Sequence, residues 1–403
     1  MRRGGRVPLL LLVAAAALQL PARSEDTAPI EWSARMARSE MARHDAAGGA
    51  KGWDYASGFF AYSLQQLGAD SGDAAFRKYG DNLVDSCIGP DGTIRGYDAS
   101  EFNLDQILPG RALLGLYVRA GTPRLRRAIA SLRDQLSNQP RTPDGGFWHK
   151  LKYPGEMWLD GLYMAGPFYA RYATLFRDAP ASADAGRQLL VADQHLYDPA
   201  TGLYYHGWDS SGTRPWASRP GGHSPSFWGR AIGWYGMALV DEVGEMAGGA
   251  EKESVQAVLR RAVAGIARWQ DPKSGVWWQV VDQAGRPGNY EESSASCMFV
   301  YALAKAVREG RVAREPYASA ATRGYAGILR EFVHLAPDGS VSLSDCCAVA
   351  GLDNRNAQGR PRDGSFGYYV SEPRVQNDLK AVSAFILAGL ELQRMSAPGR
   401  STP

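Results

Sequence analysis

In the stretch GEMWLDGLYMAGPFYARYA, residues 155–173, one carboxylate, Asp160, interrupts a run of apolar and aromatic residues. Burying an ionised carboxylate without a partner is costly, so its presence asks for a compensating gain. Trp158, Leu159, Tyr163 and Met164 flank it, a surround expected to raise its pKa by desolvation. A raised carboxyl suits a general acid at neutral pH. The blander reading is a helix-start residue favoured by the helix dipole. Asp105, in FNLDQILPGRALLG, is a second carboxylate at an equivalent place. Pro109 is tolerated in a first helical turn, which puts Asp105 just before its helix. Alone, Asp105 reads as an N-cap. Paired with Asp160, it reads as half of an acid–base site.

His206, in TGLYYHGWD, and the run HSPSFWGRAIGWYGM supply further groups. Arg230 could hold a carboxylate by two parallel hydrogen bonds. Trp228 and Trp234 offer flat apolar faces, and with eleven tryptophans in the chain such platforms suit sugar rings. Trp228 and Arg230 lie two apart and share no helical face, so both meet one ligand only if the helix begins between them. Lys150, in DGGFWHKLKYP, is an anion contact or a solvated loop lysine. Surface arginine and core tryptophan are the structural alternatives for the rest.

The elements that must position these residues form a rhythm. Residues 53–67, 108–119, 158–175, 228–243, 293–307 and 375–392 read as helices apolar on most of their surface. Between them, residues 30–44, 73–86, 123–136, 181–195, 252–269 and 313–333 space their apolar residues by three and four, the mark of one wet face. A helix apolar nearly all round must be buried. Six of each kind in alternation predict an all-α fold, an (α/α)6 barrel with an inner and an outer ring. DGTIRGYD, DGGFWHK, TGLYYHGWD, SGVWWQVVD and DGSVSL each place a Gly turn and a short alternating run before an inner helix. Such hairpin loops gather at one end and line the mouth, where a rigid scaffold presents functional residues.

The start MRRGGRVPLLLLVAAAALQLPARS reads as a secretory signal over residues 1–24, leaving residues 25–403 as one catalytic domain exported to the periplasm or medium. The apolar run is short of the ~20 residues a membrane anchor needs. Without the leader, 41 basic residues face 42 acidic ones, which removes any argument for nucleic acid. Four cysteines (Cys87, Cys297, Cys346, Cys347) read as small buried residues. The six histidines show no metal-ligand spacing.

The strings MWLDGLYMAGPF, HGWD, SPSFWGRAIGWYGMALVD, ESSASCMFVYALAKAVREG and DGSFGYYVSEPRVQND, spread over about residues 30–392, resemble glycoside hydrolase family 105, the unsaturated rhamnogalacturonyl hydrolases. The resemblance implies the same barrel, no metal or organic cofactor, and substrates made by polysaccharide lyases that end in a C4=C5 unsaturated uronic acid. It implies that an aspartic acid protonates C4, water adds at C5, and the hemiketal opens to release the remaining sugar. By motif that acid is Asp160, with Asp105 polarising the ring, and His206, Trp228, Arg230 and Trp234 binding the uronate. Lys150 falls near an aglycone contact. Residues 351–367 are longer and more polar than the family pattern leads one to expect, and Cys346-Cys347 doubles an expected single cysteine. The competing functions are the same hydration on a glycosaminoglycan or algal fragment, an inverting glycosidase using both carboxylates, and a non-catalytic carbohydrate-binding barrel.

Overall fold

Helices apolar on one stripe turn outward and helices apolar all round turn inward, and the chain sorts itself by that rule. The computed structural model describes residues 27–49, 52–218 and 220–397, so the leader lies outside the described residues. Among the described residues thirteen α-helices follow in order: α1 Pro29–Ala46, α2 Tyr55–Ser71, α3 Ala74–Asp85, α4 Gly110–Ala120, α5 Pro123–Asn138, α6 Leu159–Phe176, α7 Ala179–Leu196, α8 Gly229–Glu245, α9 Ala250–Arg268, α10 Ser293–Arg308, α11 Tyr317–Glu331, the single turn α12 Phe366–Tyr369, and α13 Leu379–Ser396. Helix α8 buries fifteen of its seventeen residues. Helix α5 buries only Leu125, Ala128, Ile129, Leu132, Gln135 and Leu136, one stripe at three- and four-residue steps.

The inner ring closes: α2 packs on α4, α4 on α6, α6 on α8, α8 on α10, α10 on α13, and α13 back on α2. The outer helices α1, α3, α5, α7, α9 and α11 back it, each against an inner neighbour. Close approach has a sequence cause in places. A Cβ on Gly233 would stand 2.8 Å from the Met298 Cβ, so glycine lets α8 lie against α10. The expected barrel is therefore the observed one. Most helix starts shift by two residues or fewer, and two shift by four for local reasons. Val375 belongs to a short strand rather than to α13, which Asp378 caps, and Pro316 delays α11 until Tyr317.

Eight short strands pair as four antiparallel ladders: β1 Glu156–Trp158 with β4 Gly207–Asp209, β2 Tyr197–Asp198 with β3 Leu203–Tyr204, β5 Val333–Leu335 with β6 Val341–Leu343, and β7 Cys346–Cys347 with β8 Arg374–Val375. The β2–β3 and β5–β6 ladders, with single bridges at Ile88–Ile94 and Arg141–Phe147, are the hairpin loops expected at the mouth. All four cysteines are buried and unpaired.

One buried acid sits apart from the mouth. Glu242 on α8 is 1% exposed, neither of its carboxylate oxygens has a hydrogen-bond partner, and it lies against Gly166 of α6. Burial, reinforced by the charge of Asp241, pushes its carboxyl well above the usual range. A carboxyl raised on folding gives stability that is complete below its unfolded pKa and is lost as pH rises toward the folded value. Glu242→Gln cannot ionise, so its melting temperature should exceed the wild type by more at pH 8 than at pH 5. The gap should widen steadily as pH rises from 5 to 8. A pH-independent gap in thermal melts would mean that Glu242 does not titrate abnormally.

Candidate active site

The mouth of the barrel is where inner helices begin. Asp160 is the second residue of α6, Arg230 of α8, Ser294 of α10 and Lys380 of α13. The Asp160, Arg230 and Lys380 side chains reach one pocket at the mouth, and the positive ends of these helix dipoles favour an anionic ligand there. One pocket collects Asp105, Lys150, Asp160, Trp228, Arg230 and Trp234 in its lining. These are six of the seven residues singled out from the sequence. Trp228 caps α8, which begins at Gly229, so the helix does start between Trp228 and Arg230 and both reach the pocket.

The seventh, His206, is not a lining residue. It is fully buried behind Asp160, with Nε2 2.9 Å from the Asp160 Oδ2 and Nδ1 2.8 Å from the Tyr369 hydroxyl. The β1–β4 ladder explains the placement. Trp158 pairs with Gly207, and the Leu159 N–H donates to the His206 carbonyl at 2.9 Å, setting the histidine beside the first turn of α6. His206 therefore stands behind the carboxylate and outside the pocket lining.

The charge state of Asp160 also differs from expectation. Burial pushes its carboxyl up, but the nearness of His206, together with His149 and Arg230, outweighs that push. The net result holds Asp160 below the ordinary carboxylate value. The sequence displayed only the apolar neighbours on the same helix. The opposing groups come from other elements.

Asp105 lies in a 3-10 turn, Leu104–Gln106, that Asn103 caps, so the N-cap reading of Asp105 does not hold. Its carboxylate is 2.5 Å from the Lys150 Nζ and 3.5 Å from the His149 Nε2. Asp105 holds the Lys150 ammonium above its ordinary pKa despite the opposing effect of burial. Arg230 is 2% exposed, and its Nη1 donates to the Cys347 carbonyl and, at 3.4 Å, to Ser294 Oγ. Trp234 stacks on Tyr163 at 4.9 Å, and Trp228 on Tyr369 at 5.6 Å with 10° between planes.

Sequence reasoning missed several lining residues: Tyr55, His149, Tyr153, Arg362 and Lys380. Lys380 had a signal, since it repeats the second-residue position of Asp160 and Arg230. His149 adjoins Lys150 in the same loop. It stacks on Trp158 at 4.5 Å, and burial pushes its pKa down to about 4. Arg362 belongs to the long polar loop, which packs Leu352 against Tyr153, Trp158 and Trp216. That loop is further tied down by Arg214, which bridges Asp353 at 3.3 Å and Glu156 at 2.8 Å. Four cations and two carboxylates line the pocket, a surplus of positive charge suited to an acidic ligand. Among the described residues, no group of three or more His, Cys, Asp or Glu is placed to hold a metal ion, and no helix is long and apolar enough to cross a membrane.

Comparison with known proteins agrees with this fold. The model of Glycosyl Hydrolase Family 88 matches residues 32–396. A glycoside hydrolase from family 105 of C. acetobutylicum ATCC 824 is 38% identical, with a TM-score of 0.85 over 90% of this chain and 99% of that one. Protein Atu3128 of Agrobacterium fabrum is 37% identical over 231 residues, 57% of this chain and 97% of that protein. The unsaturated rhamnogalacturonyl hydrolase YesR of Bacillus subtilis is 28% identical over 201 residues, 48% of this chain and 55% of that protein. The unsaturated glucuronyl hydrolase of Bacillus sp. GL1, with a TM-score of 0.62 and 14% identity over 84% of this chain and 86% of that one, shares the fold. The chain belongs to the glycoside hydrolases of families 88 and 105.

Proposed function

We propose that this hydrolase removes the C4=C5 unsaturated uronic acid from the non-reducing end of lyase-generated rhamnogalacturonan oligosaccharides, by hydrating the double bond. The observation that carries the reading is Asp160: a buried carboxylate backed by His206, opening into a pocket with Arg230, Trp228 and Trp234. The rhamnogalacturonan source rests on the similarity to YesR.

The uronate enters with its carboxylate toward Arg230 and its ring against the tryptophans. Its negative charge, and the water it displaces, both favour the protonated form of Asp160. The acid delivers that proton to C4, water adds at C5, and the resulting hemiketal opens to free the second sugar. Asp105, braced by Lys150, polarises the ring from the other side. The arginine-rich apolar leader supports export to the periplasm or medium.

The reading predicts that purified protein, given an unsaturated rhamnogalacturonan disaccharide, removes the ultraviolet absorbance of the conjugated double bond and releases one free sugar. A parallel glycosaminoglycan-derived series separates the two polymer sources. Absorbance that persists across the whole panel would sink the hydration chemistry, and binding without turnover would mark a carbohydrate-binding barrel.

A further inference from the structure

Asp160 is held by a histidine whose other nitrogen must also be satisfied. That second partner is the hydroxyl of Tyr369, 2.8 Å from Nδ1. A neutral imidazole donates from one nitrogen and accepts at the other. The carboxylate of Asp160, 2.9 Å from Nε2, is an acceptor. With Asp160 ionised, a neutral imidazole turns its proton on Nε2 toward the carboxylate, and Nδ1 is left to accept from the Tyr369 phenol.

We propose that Tyr369 is a positioning residue: by donating to Nδ1 it fixes His206 in the tautomer with its proton on Nε2, and so sets how Asp160 is held. The inference rests on the hydration reading for its functional meaning, though not for its geometry. Tyr369 is itself fully buried and cannot turn away to water. Its ring lies against Trp228, and its carbonyl accepts from the Gln279 Nε2 at 3.1 Å. The Oε1 of the same glutamine accepts from the Trp228 Nε1 at 3.2 Å. Next to it, the Tyr368 hydroxyl accepts from the Gly351 N–H at 3.0 Å. The single turn α12 thus ties three things together: the acid through His206, the stacking Trp228 through Gln279, and the polar loop of the mouth through Gly351.

Two measurements on the full chain test this. A long-range proton–nitrogen correlation spectrum reads the imidazole tautomer, with the His206 signals assigned by their absence in His206→Gln. The wild type should show His206 protonated on Nε2 alone, and Tyr369→Phe should lose that single form. On an unsaturated disaccharide, Tyr369→Phe should lower kcat about tenfold, the scale of one lost hydrogen bond, with KM nearly unchanged. In a His206→Gln background the same substitution should cost nothing further. A wild-type proton on Nδ1, an unchanged tautomer in Tyr369→Phe, or fully additive effects in the double variant would overturn the proposal. If the wild type turns over no unsaturated oligosaccharide, the hydration reading has failed and the spectra alone decide the role of Tyr369.

Discussion

Asp160→Asn should abolish hydration while leaving the barrel and its pocket intact. The amide has nearly the shape of the carboxyl, and its oxygen can still face His206 Nε2, 2.9 Å away, so packing in the first turn of α6 survives. It has no proton of suitable acidity to give to C4, and loss of a general acid costs about 10²–10⁴-fold in rate. The expected result is a fall of that size in kcat, an unchanged melting curve, and retained binding of the unsaturated disaccharide by calorimetry. Turnover within a few-fold of wild type would take the acid role away from Asp160. If the fold is lost instead, the carboxylate is structural, and the pocket loses its claim to be built for catalysis.

The second large effect concerns stability at the other end of the barrel. Asp241 on α8 is 5% exposed and accepts from Arg111 Nη1 and the Tyr301 hydroxyl, each at 2.6 Å, and from Lys305. These partners stand on α4 and α10, so one carboxylate joins three inner helices. Asp241→Leu leaves the Arg111 guanidinium without its carboxylate and Lys305 with only the more distant Glu309, 3.9 Å away. Breaking a buried ion pair in this way costs about 3–5 kcal/mol, a large share of a typical folding free energy. Denaturant titration should show the midpoint falling by that amount, and a loss below 1 kcal/mol would mean that solvent already screens the cluster. The pH dependence follows. Burial pushes the Asp241 carboxyl up, but Arg111 and Lys305 outweigh it and hold it below the ordinary value. Its contribution is present above the unfolded pKa and lost as pH falls through the folded one, so Asp241→Leu should also flatten the acid limb of the stability curve.

Much of this architecture was legible in the chain. The two kinds of helix alternate because periodicity reports how many sides of a helix are covered, and that property is local. The same logic located Asp160 and Arg230, since a charge at the start of an otherwise buried helix must face an opening. What could not be read was the partner of each charge. The ionisation of Asp160 depends on His206, 46 positions away, and His206 in turn depends on Tyr369, 163 positions further on. Neither distance has a period. Tyr369 sits in a Tyr-Tyr pair whose types suggest only aromatic packing, and the mouth loop that carries Arg362 reads as polar filler until Leu352 is seen in its own small apolar cluster.

The closed inner ring has a consequence for how the protein is made. Its last member, α13, fills the gap between α10 and α2, and the Ser33 hydroxyl on α1 donates to the Ile386 carbonyl across 353 positions of chain at 3.0 Å. A nascent polypeptide that has delivered the twelve helices before α13 still shows bare apolar flanks on α2 and α10. It can shield them only after α13 has left the ribosome. Contacts so distant along the chain form late, and exposed apolar flanks on partly made chains invite aggregation. The vulnerable interval in the life of this molecule is therefore translation, and its length is set by the ribosome rather than by the packing of any single hairpin.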